Sequence, residues 1–257
     1  MQVNEELKQA ATLIARSQQL VVLTGAGASK ESGVPTFRDA LDGLWARYDP
    51  AELATPEAFR RNPRLVWDWY EYRRQLVRQA QPNPGHFALA ALESLIPGTV
   101  IITQNVDDLH QRAGSRDIIP LHGAIMRNRC FNNCRGIPTL IDVAVLPDPD
   151  PEGGPPVCPY CGGWVRPDVV WFGETLPEGA LVRAMQLAEE ADVMLVVGTS
   201  GVVQPAASLP FIAKRAGATI IEVNPQRSDI TAIADVWLAA PAGTVLPELV
   251  ERVRALR

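Results

Sequence analysis

Long apolar runs are missing from this 257-residue chain. The longest, around Val193–Val197, is far short of the ~20 residues that a membrane-crossing helix needs. An excess of basic charge is missing as well. Lys and Arg number 24 against 29 Asp and Glu, a net charge of −5, which excludes a broad electrostatic grip on nucleic acid or anionic lipid but leaves room for a local basic pocket. No repeat and no low-complexity tail is present. Glu5 and Glu6 interrupt the N-terminus, and no apolar core precedes a small-residue cleavage site, so no secretory leader is read and a cytoplasmic protein is expected. Cysteine is scarce, and all four lie between positions 130 and 161. A secreted disulfide scaffold scatters its cysteines, whereas close pairs in a reducing compartment read as metal ligands.

What is present is ordinary for a globular protein: 47% hydrophobic and 21% charged residues, in a length that suits one large domain with or without a small one. Amphipathic residues 4–17 predict a helix, and the apolar run 20–23 a strand leading into Thr24-Gly25-Ala26-Gly27-Ala28-Ser29. Residues 50–80 read as helical and aromatic. Helices are further expected at 86–95, 178–190, 205–216 and from about 245, and strands at 100–103, 118–121, 193–197, 219–223 and 236–238. Short apolar strands alternating with helices predict a Rossmann-like α/β fold, a parallel sheet covered on both faces. Residues 41–83 and 126–167 break the alternation. They are expected to form a smaller lobe from a helical insertion and a zinc-binding module, on a domain of residues 1–40, 84–125 and 168–257.

Ligands of open α/β sheets bind beyond the carboxyl ends of the strands. Here those ends carry Gly25–Gly27, Gln104-Asn105, His122, Gly198–Ser200 and Asn224, which should therefore converge. The glycines after the first strand allow close approach of a phosphate, or simply make a tight turn. The dinucleotide fingerprint is incomplete. Lys30 stands at its third glycine, and a helical aromatic segment follows where a second strand ending in an acid belongs, which argues against an ordinary dehydrogenase.

Cys130 and Cys134 are separated by three residues, and Cys158 and Cys161 by two. Four thiolates in two close pairs suit one structural, tetrahedral zinc per chain with no position open for catalysis; the alternative is a set of free buried thiols. Of the three histidines, His86 follows Asn83-Pro84-Gly85 and reads as structural, and His110 lies in a helix. His122 sits at a strand end facing the expected site, where a near-neutral pKa suits proton abstraction. Asn105 and Asp107 flank Val106; one of them can cap the next helix, which leaves the other for a ligand.

Thr24–Ser29, with Glu31–Asp39 behind it, resembles the NAD⁺ signature of the sirtuin family. Thr103–Asp107, Leu121–Gly123, Arg166–Glu174, Gly198–Ser200 and Val223-Asn224 resemble the family's further blocks in order, so the likeness runs from about residue 10 to 250. It implies an NAD⁺-consuming protein-lysine deacylase. By this resemblance Gly25, Ala26, Gly27, Thr36, Phe37, Arg38 and Gln104 surround NAD⁺. Gly198, Ser200, Asn224 and Ala242 hold its adenosine half, and Asn105 and Asp107 lie by the nicotinamide. His122 is the implied general base. The acylated peptide is implied to pair as an extra strand between Val170–Gly173, including Phe172, and the loop Gly201–Val203. In the implied reaction the acyl oxygen attacks the ribose carbon that bears nicotinamide, and His122 takes a proton from a ribose hydroxyl. The products are free lysine, nicotinamide and O-acyl-ADP-ribose.

The helix around 67–78 bears on which acyl group. Arg73 has Trp69, Tyr70, Leu76 and Val77 three and four residues away, an apolar face with no acid beside it, while Arg74 pairs with Glu71 and reads as a surface residue. An inward arginine needs an anion, either a ligand carboxylate or an acid or carbonyl within the lobe. Tyr70-x-x-Arg73 resembles the pair that receives malonyl- or succinyl-lysine in one sirtuin branch, some of whose members also accept acetyl-lysine. The competing readings are a general deacetylase, mono-ADP-ribosyl transfer with another acceptor, and a non-catalytic binder of NAD⁺ or ADP-ribose; His122 argues against the last. Acylated lysine proteins or peptides are the expected partners, with no direct nucleic-acid or membrane contact. Oligomeric state is not legible, and a monomer is compatible with everything above.

Overall fold

A computed structural model describes residues 2–35, 48–146 and 153–257. Helix α1 (Gln2–Arg16) leads into β1 (Gln19–Thr24), the Gly25 turn and the short α2 (Gly27–Lys30). The aromatic stretch is three helices, α3 (Pro50–Leu53), α4 (Pro56–Arg61) and α5 (Pro63–Gln79), followed by α6 (Pro84–Leu95). The division is written in four cap–proline pairs. Asp49, Thr55, Asn62 and Asn83 each accept a backbone N–H of the first turn that follows, and each precedes a proline, whose missing N–H is harmless there.

Next come β2 (Gly98–Thr103), α7 (Leu109–Arg112), β3 (Ile118–Pro120), β4 (Gly123–Cys130), β5 (Leu140–Ile141) and β6 (Val165–Val169). The chain closes with α8 (Glu178–Glu190), β7 (Val193–Val197), α9 (Leu209–Ala216), β8 (Thr219–Val223), β9 (Val236–Leu238) and α10 (Ala242–Leu256). Helix α9 starts four residues later than its periodicity predicts, behind a 3₁₀ turn over Ala206–Ser208, and ends at Gly217, whose φ of +102° is left-handed.

Six strands form one parallel sheet in the order β3-β2-β1-β7-β8-β9, the crossover topology expected of the alternating pattern. Its two faces pack into separate cores. Leu7, Ile14, Leu92, Leu246 and Leu249 from α1, α6 and α10 cover one. Leu187, Ala188, Leu209 and Ala213 from α8 and α9 cover the other. A second sheet, β5-β4-β6, is antiparallel, and β4 and β6 run across positions 125/126 and 167/168. Against it α4 and α5 bury Phe59, Val66, Trp69 and Tyr70 onto Ile125, Val169 and Trp171. The cysteine module has a core of its own with few members among the described residues: Cys130, Ile141, Cys158 and Val165, with Trp67 and Leu146 packed at its edge.

Arg74 departs from its surface reading. It does pair with Glu71, but it is 4% exposed, and its guanidinium donates to the carbonyls of Ile125 (2.6 Å) and Arg127 (3.2 Å) and to Oδ1 of Asn128 (2.6 Å). It fastens α5 to β4. The partners that bury it lie some fifty residues away in sequence, so the local pattern, which showed only Glu71, could not reveal them.

Candidate active site

The carboxyl ends of β1, β2, β7 and β8 open into a cleft of about 890 Å³ that also touches α5 and the segment after β6. Gly25, Ala26, Gly27, Gln104, Asn105, Asp107, His122, Gly198, Ser200, Asn224 and Ala242 all line it, as do Val170, Phe172, Gly173 and Arg73. Thr36, Phe37 and Arg38 lie outside the described residues. Tyr70 is fully buried and does not line the cleft.

The glycine turn owes its composition to backbone packing. The N–H groups of Gly25 and Gly27 donate to the carbonyls of Val197 and Gly198 at 3.0 and 2.8 Å. A Cβ on Gly27 would come within 2.7 Å of the Gly198 oxygen, and one on Gly198 within 2.3 Å of the Ala28 nitrogen. The ends of β1 and β7 can therefore meet only as glycines, which keeps both turns in the cleft wall.

Around this floor the polar side chains are held in fixed states. The Nδ1–H of His122 donates to the Gln104 carbonyl at 2.9 Å, a partner that assigns the tautomer and leaves Nε2 with its lone pair. Burial pushes the imidazole pKa down, and that hydrogen bond partly restores it. The Gln104 side chain donates to Thr199 Oγ1 at 3.0 Å, and Asn224 Nδ2 to the Thr199 carbonyl at 2.9 Å. Asn105 donates to Ser29 Oγ (3.0 Å), and Ser29 in turn donates to Asp107 Oδ2 (2.9 Å). The other Asp107 oxygen accepts the Leu109 N–H at 3.1 Å, so of Asn105 and Asp107 it is Asp107 that holds the turn into α7, one residue ahead of the N-cap Asp108. Its carboxyl pKa is raised by burial, against the lowering effect of those hydrogen bonds. Ser29 and Thr199 were not singled out from the sequence. Their signal was position alone, each directly beside a glycine turn at a strand end.

His86 and His110 lie beneath the site with their rings 4.9 Å apart. Asn83 N–H donates to His86 Nδ1 (3.2 Å), completing a capping box, and His110 Nε2 donates to Thr24 Oγ1 (3.0 Å). Burial lowers their pKa values to about 4 and about 3. Both are therefore neutral when folded and protonate near 6.5 when unfolded, so stability is complete above pH 6.5 and declines as pH falls toward the folded values. These two groups should remove about 4 kcal/mol of stability between neutral pH and pH 5. Urea midpoints at pH 7.5 and 5 measure it; equal midpoints would refute the neutral pair.

Arg73 lies against the edge-to-face pair of Trp69 and Tyr70, its guanidinium carbon 5.0 and 5.6 Å from their centroids. Burial lowers its pKa, while Tyr70 and the Asp107 charge act in its favour. Asp107 is an acid that helix periodicity could not disclose, because it arrives from the loop after β2. Tyr70 Oη accepts the indole N–H of Trp171 at 2.9 Å, which ties α5 to the segment after β6.

In the small lobe the four cysteine sulfurs lie within 4.8 Å of one another, with Cys130–Cys161 at 3.6 Å and Cys134–Cys158 at 3.9 Å. Tetrahedral zinc with bonds of about 2.3 Å sets its sulfurs about 3.8 Å apart, so the donor set fits that ion.

A parallel-sheet protein with glycine turns and a poised histidine in one cleft, joined to a four-thiol module, is a nucleotide-site α/β protein of a restricted class. The chain matches the family model described as Sir2 family over residues 25–205. It is 55% identical over 240 residues to NAD-dependent protein deacylase 1 of Pseudomonas aeruginosa, covering 93% of this chain and 96% of that protein. The crystal structure of a Sir2 homologue–NAD complex superposes with a TM-score of 0.87 at 51% identity, covering 97% of this chain and 94% of the other. Sir2Af2 bound to a myristoylated histone peptide superposes with a TM-score of 0.76 at 37% identity, covering 99% and 98%. The chain belongs to the Sir2, or sirtuin, family.

Proposed function

We propose that this protein removes acyl groups from protein lysines with consumption of NAD⁺. The observation that carries the reading is His122: its Nδ1–H is fixed on the Gln104 carbonyl, and its Nε2 lone pair belongs to the cleft that the Gly25 and Gly198 turns floor. Bound NAD⁺ supplies an electrophilic ribose carbon and nicotinamide as a leaving group. His122 Nε2 accepts a proton from a ribose hydroxyl, Asn105 and Asp107 line the nicotinamide end, and Asn224, Ser200 and Ala242 the adenosine end. The names and ligands of the relatives above support this assignment. The four thiols hold one structural zinc. Mixing the protein with NAD⁺ and an acyl-lysine peptide tests the activity. Free nicotinamide with deacylated peptide is expected; ADP-ribosylated protein without deacylation, or no turnover, refutes it.

The peptide docks along residues 170–173. The N–H groups of Val170, Trp171 and Phe172 already donate to the His122 carbonyl, Glu174 Oε2 and the Ala54 carbonyl, and the Trp171 carbonyl takes the Glu174 N–H, so what a peptide finds here is the carbonyls of Val170 and Phe172 as acceptors. Its donors must then pair there while the loop 201–203 serves its other edge.

Acidic acyl groups, succinyl and malonyl, are the preferred substrates in this reading, with acetyl as a secondary one. Arg73 is the support: it is the arginine of α5 that lines the cleft, set against the rings of Trp69 and Tyr70. Tyr70 acts through it from the buried side. A charge-assisted hydrogen bond to a buried carboxylate contributes roughly 1.5–3 kcal/mol. Arg73→Met should therefore lower kcat/KM for succinyl-lysine on the order of 10- to 100-fold and largely spare acetyl-lysine. Tyr70→Phe should cost less in the same direction. The succinyl-to-acetyl ratio of each variant against wild type is the measurement, and an unchanged ratio leaves a general deacetylase in which Arg73 answers only Asp107.

A further inference from the structure

The segment after β6 is shaped by a buried ion cluster to which no role has been given. Glu174 N–H donates to the Trp171 carbonyl (3.0 Å) while its own Oε2 accepts the Trp171 N–H (2.8 Å), so the turn is closed from both sides by one residue. Gly173, at a φ of +86°, makes the closure possible. The carboxylate is then gripped by two guanidinium groups. Arg166, 2% exposed at its side chain, donates at 2.6 and 3.1 Å, and Arg129 donates to both oxygens at 3.1 Å. Arg166 also donates to the Val169 carbonyl at 2.6 Å and stacks 3.1 Å from the centroid of the Trp171 ring. Burial pushes the Glu174 carboxyl up, but the Arg166 hydrogen bonds and charge outweigh it and the pKa is lowered, so the clamp is ionic.

Asp168, 7% exposed at its side chain, faces the same Arg129 at 3.9 Å and pairs with Arg127 at 2.7 Å. Desolvating these carboxylates and guanidinium groups consumes most of what their attraction returns, so such a cluster is a poor source of net stability. It is a good source of geometry. The turn it closes presents Val170, Phe172 and Gly173 to the cleft. The ring it stacks on, Trp171, donates to Tyr70 on the other side.

We propose that Glu174, clamped by Arg166 and Arg129, is a positioning residue that sets the turn on which the acylated peptide docks. Trp171 transmits the same constraint to Tyr70, which lies behind the cleft wall beside Arg73. This rests on the deacylase reading. The nucleotide end, formed by the turns at Gly25, Gly198 and Asn224, makes none of these contacts, so the clamp acts on peptide and leaves nucleotide binding alone.

The test is Glu174→Gln, which keeps shape and acceptor but loses the charge, alongside Glu174→Asp, which keeps the charge but falls short of both partners. KM for an acyl-lysine peptide, kcat, ADP-ribose affinity by calorimetry and Tm are read on the zinc-loaded protein. Both variants should raise the peptide KM about tenfold. ADP-ribose affinity should stay within about twofold. If Glu174 is only a structural residue, Tm falls with peptide KM unchanged, or peptide and ADP-ribose binding weaken together; either result overturns the proposal. Should Glu174→Gln fail to fold, Arg129→Met, which leaves Arg166 in place, should still raise peptide KM several-fold, and an unchanged value is equally decisive. Wild type that deacylates while the variants keep a normal KM defeats this inference alone. Wild type that neither turns over nor binds the peptide defeats the deacylase reading with it.

Discussion

His122→Ala should lower deacylation about 10²–10⁴-fold, the usual contribution of a general base, while ADP-ribose still binds. The separation follows from the contacts of the ring. The His122 ring hydrogen-bonds from Nδ1 to the Gln104 carbonyl, and the Gly25, Gly198 and Asn224 turns make their bonds to other groups. Loss of the ring therefore removes a proton acceptor without loosening the nucleotide floor. The pH profile should agree. The base works as neutral imidazole, and burial lowers its pKa below the ordinary 6.5, so kcat/KM should be flat through neutrality and fall only on acidification below that value. Turnover of the alanine variant near wild type would place the base elsewhere. An acid limb above pH 7 would contradict a desolvated ring.

Cys158→Ala should cost the protein both its metal and its small lobe. Among the described residues the buried core of the cysteine module is so small (Cys130, Ile141, Cys158 and Val165) that apolar burial alone cannot hold the module together. Metal binding and folding are then coupled, and structural zinc contributes on the order of 10 kcal/mol in small zinc-dependent folds. The large sheet has its own cores and should survive. A fall in Tm on the order of 10 °C, loss of a separate unfolding step, or insolubility is therefore expected, with zinc falling well below one per chain. Activity should fall with it, since Cys130 ends the same strand that carries Arg129. Fully active, stable protein with little zinc by metal analysis would refute the structural role.

Much of this molecule was legible in one dimension. Strands such as Leu20–Leu23 and Val193–Val197 are unbroken apolar runs because both faces of a parallel sheet are covered, and such runs have no other easy reading. The glycine turns, His122 and the cysteine pairs stand at the ends of those runs or in spacings that few other chemistries need. The antiparallel sheet was not legible. Strand β4 breaks its alternation at an exposed Arg127, where the register with β6 shifts between Ala124 and Asn128, and it carries Asn128 and Arg129 besides, so its pattern is lost among loop-like polar residues, and its partner β6 lies more than thirty residues away.

The sequence by itself determined which residues could gather at a sheet edge, because side-chain period, turn chemistry and capping act over a few residues. It also determined the donor set of the metal site, since four thiols in two close pairs need only local spacing to be recognised. Tertiary structure alone decided which charges are buried and what they face. Arg74, read as a surface residue beside Glu71, is buried on the carbonyls of Ile125 and Arg127. Arg73 meets the field of Asp107, and Tyr70 serves Trp171 from behind the cleft wall. Arg166 and Glu174, eight residues apart in a motif, become a clamp only when Arg129 arrives from the neighbouring strand. Whether a charge is paired depends on where its partner falls in space, and hydrophobic periodicity, which records burial against water along one element, carries no information about that.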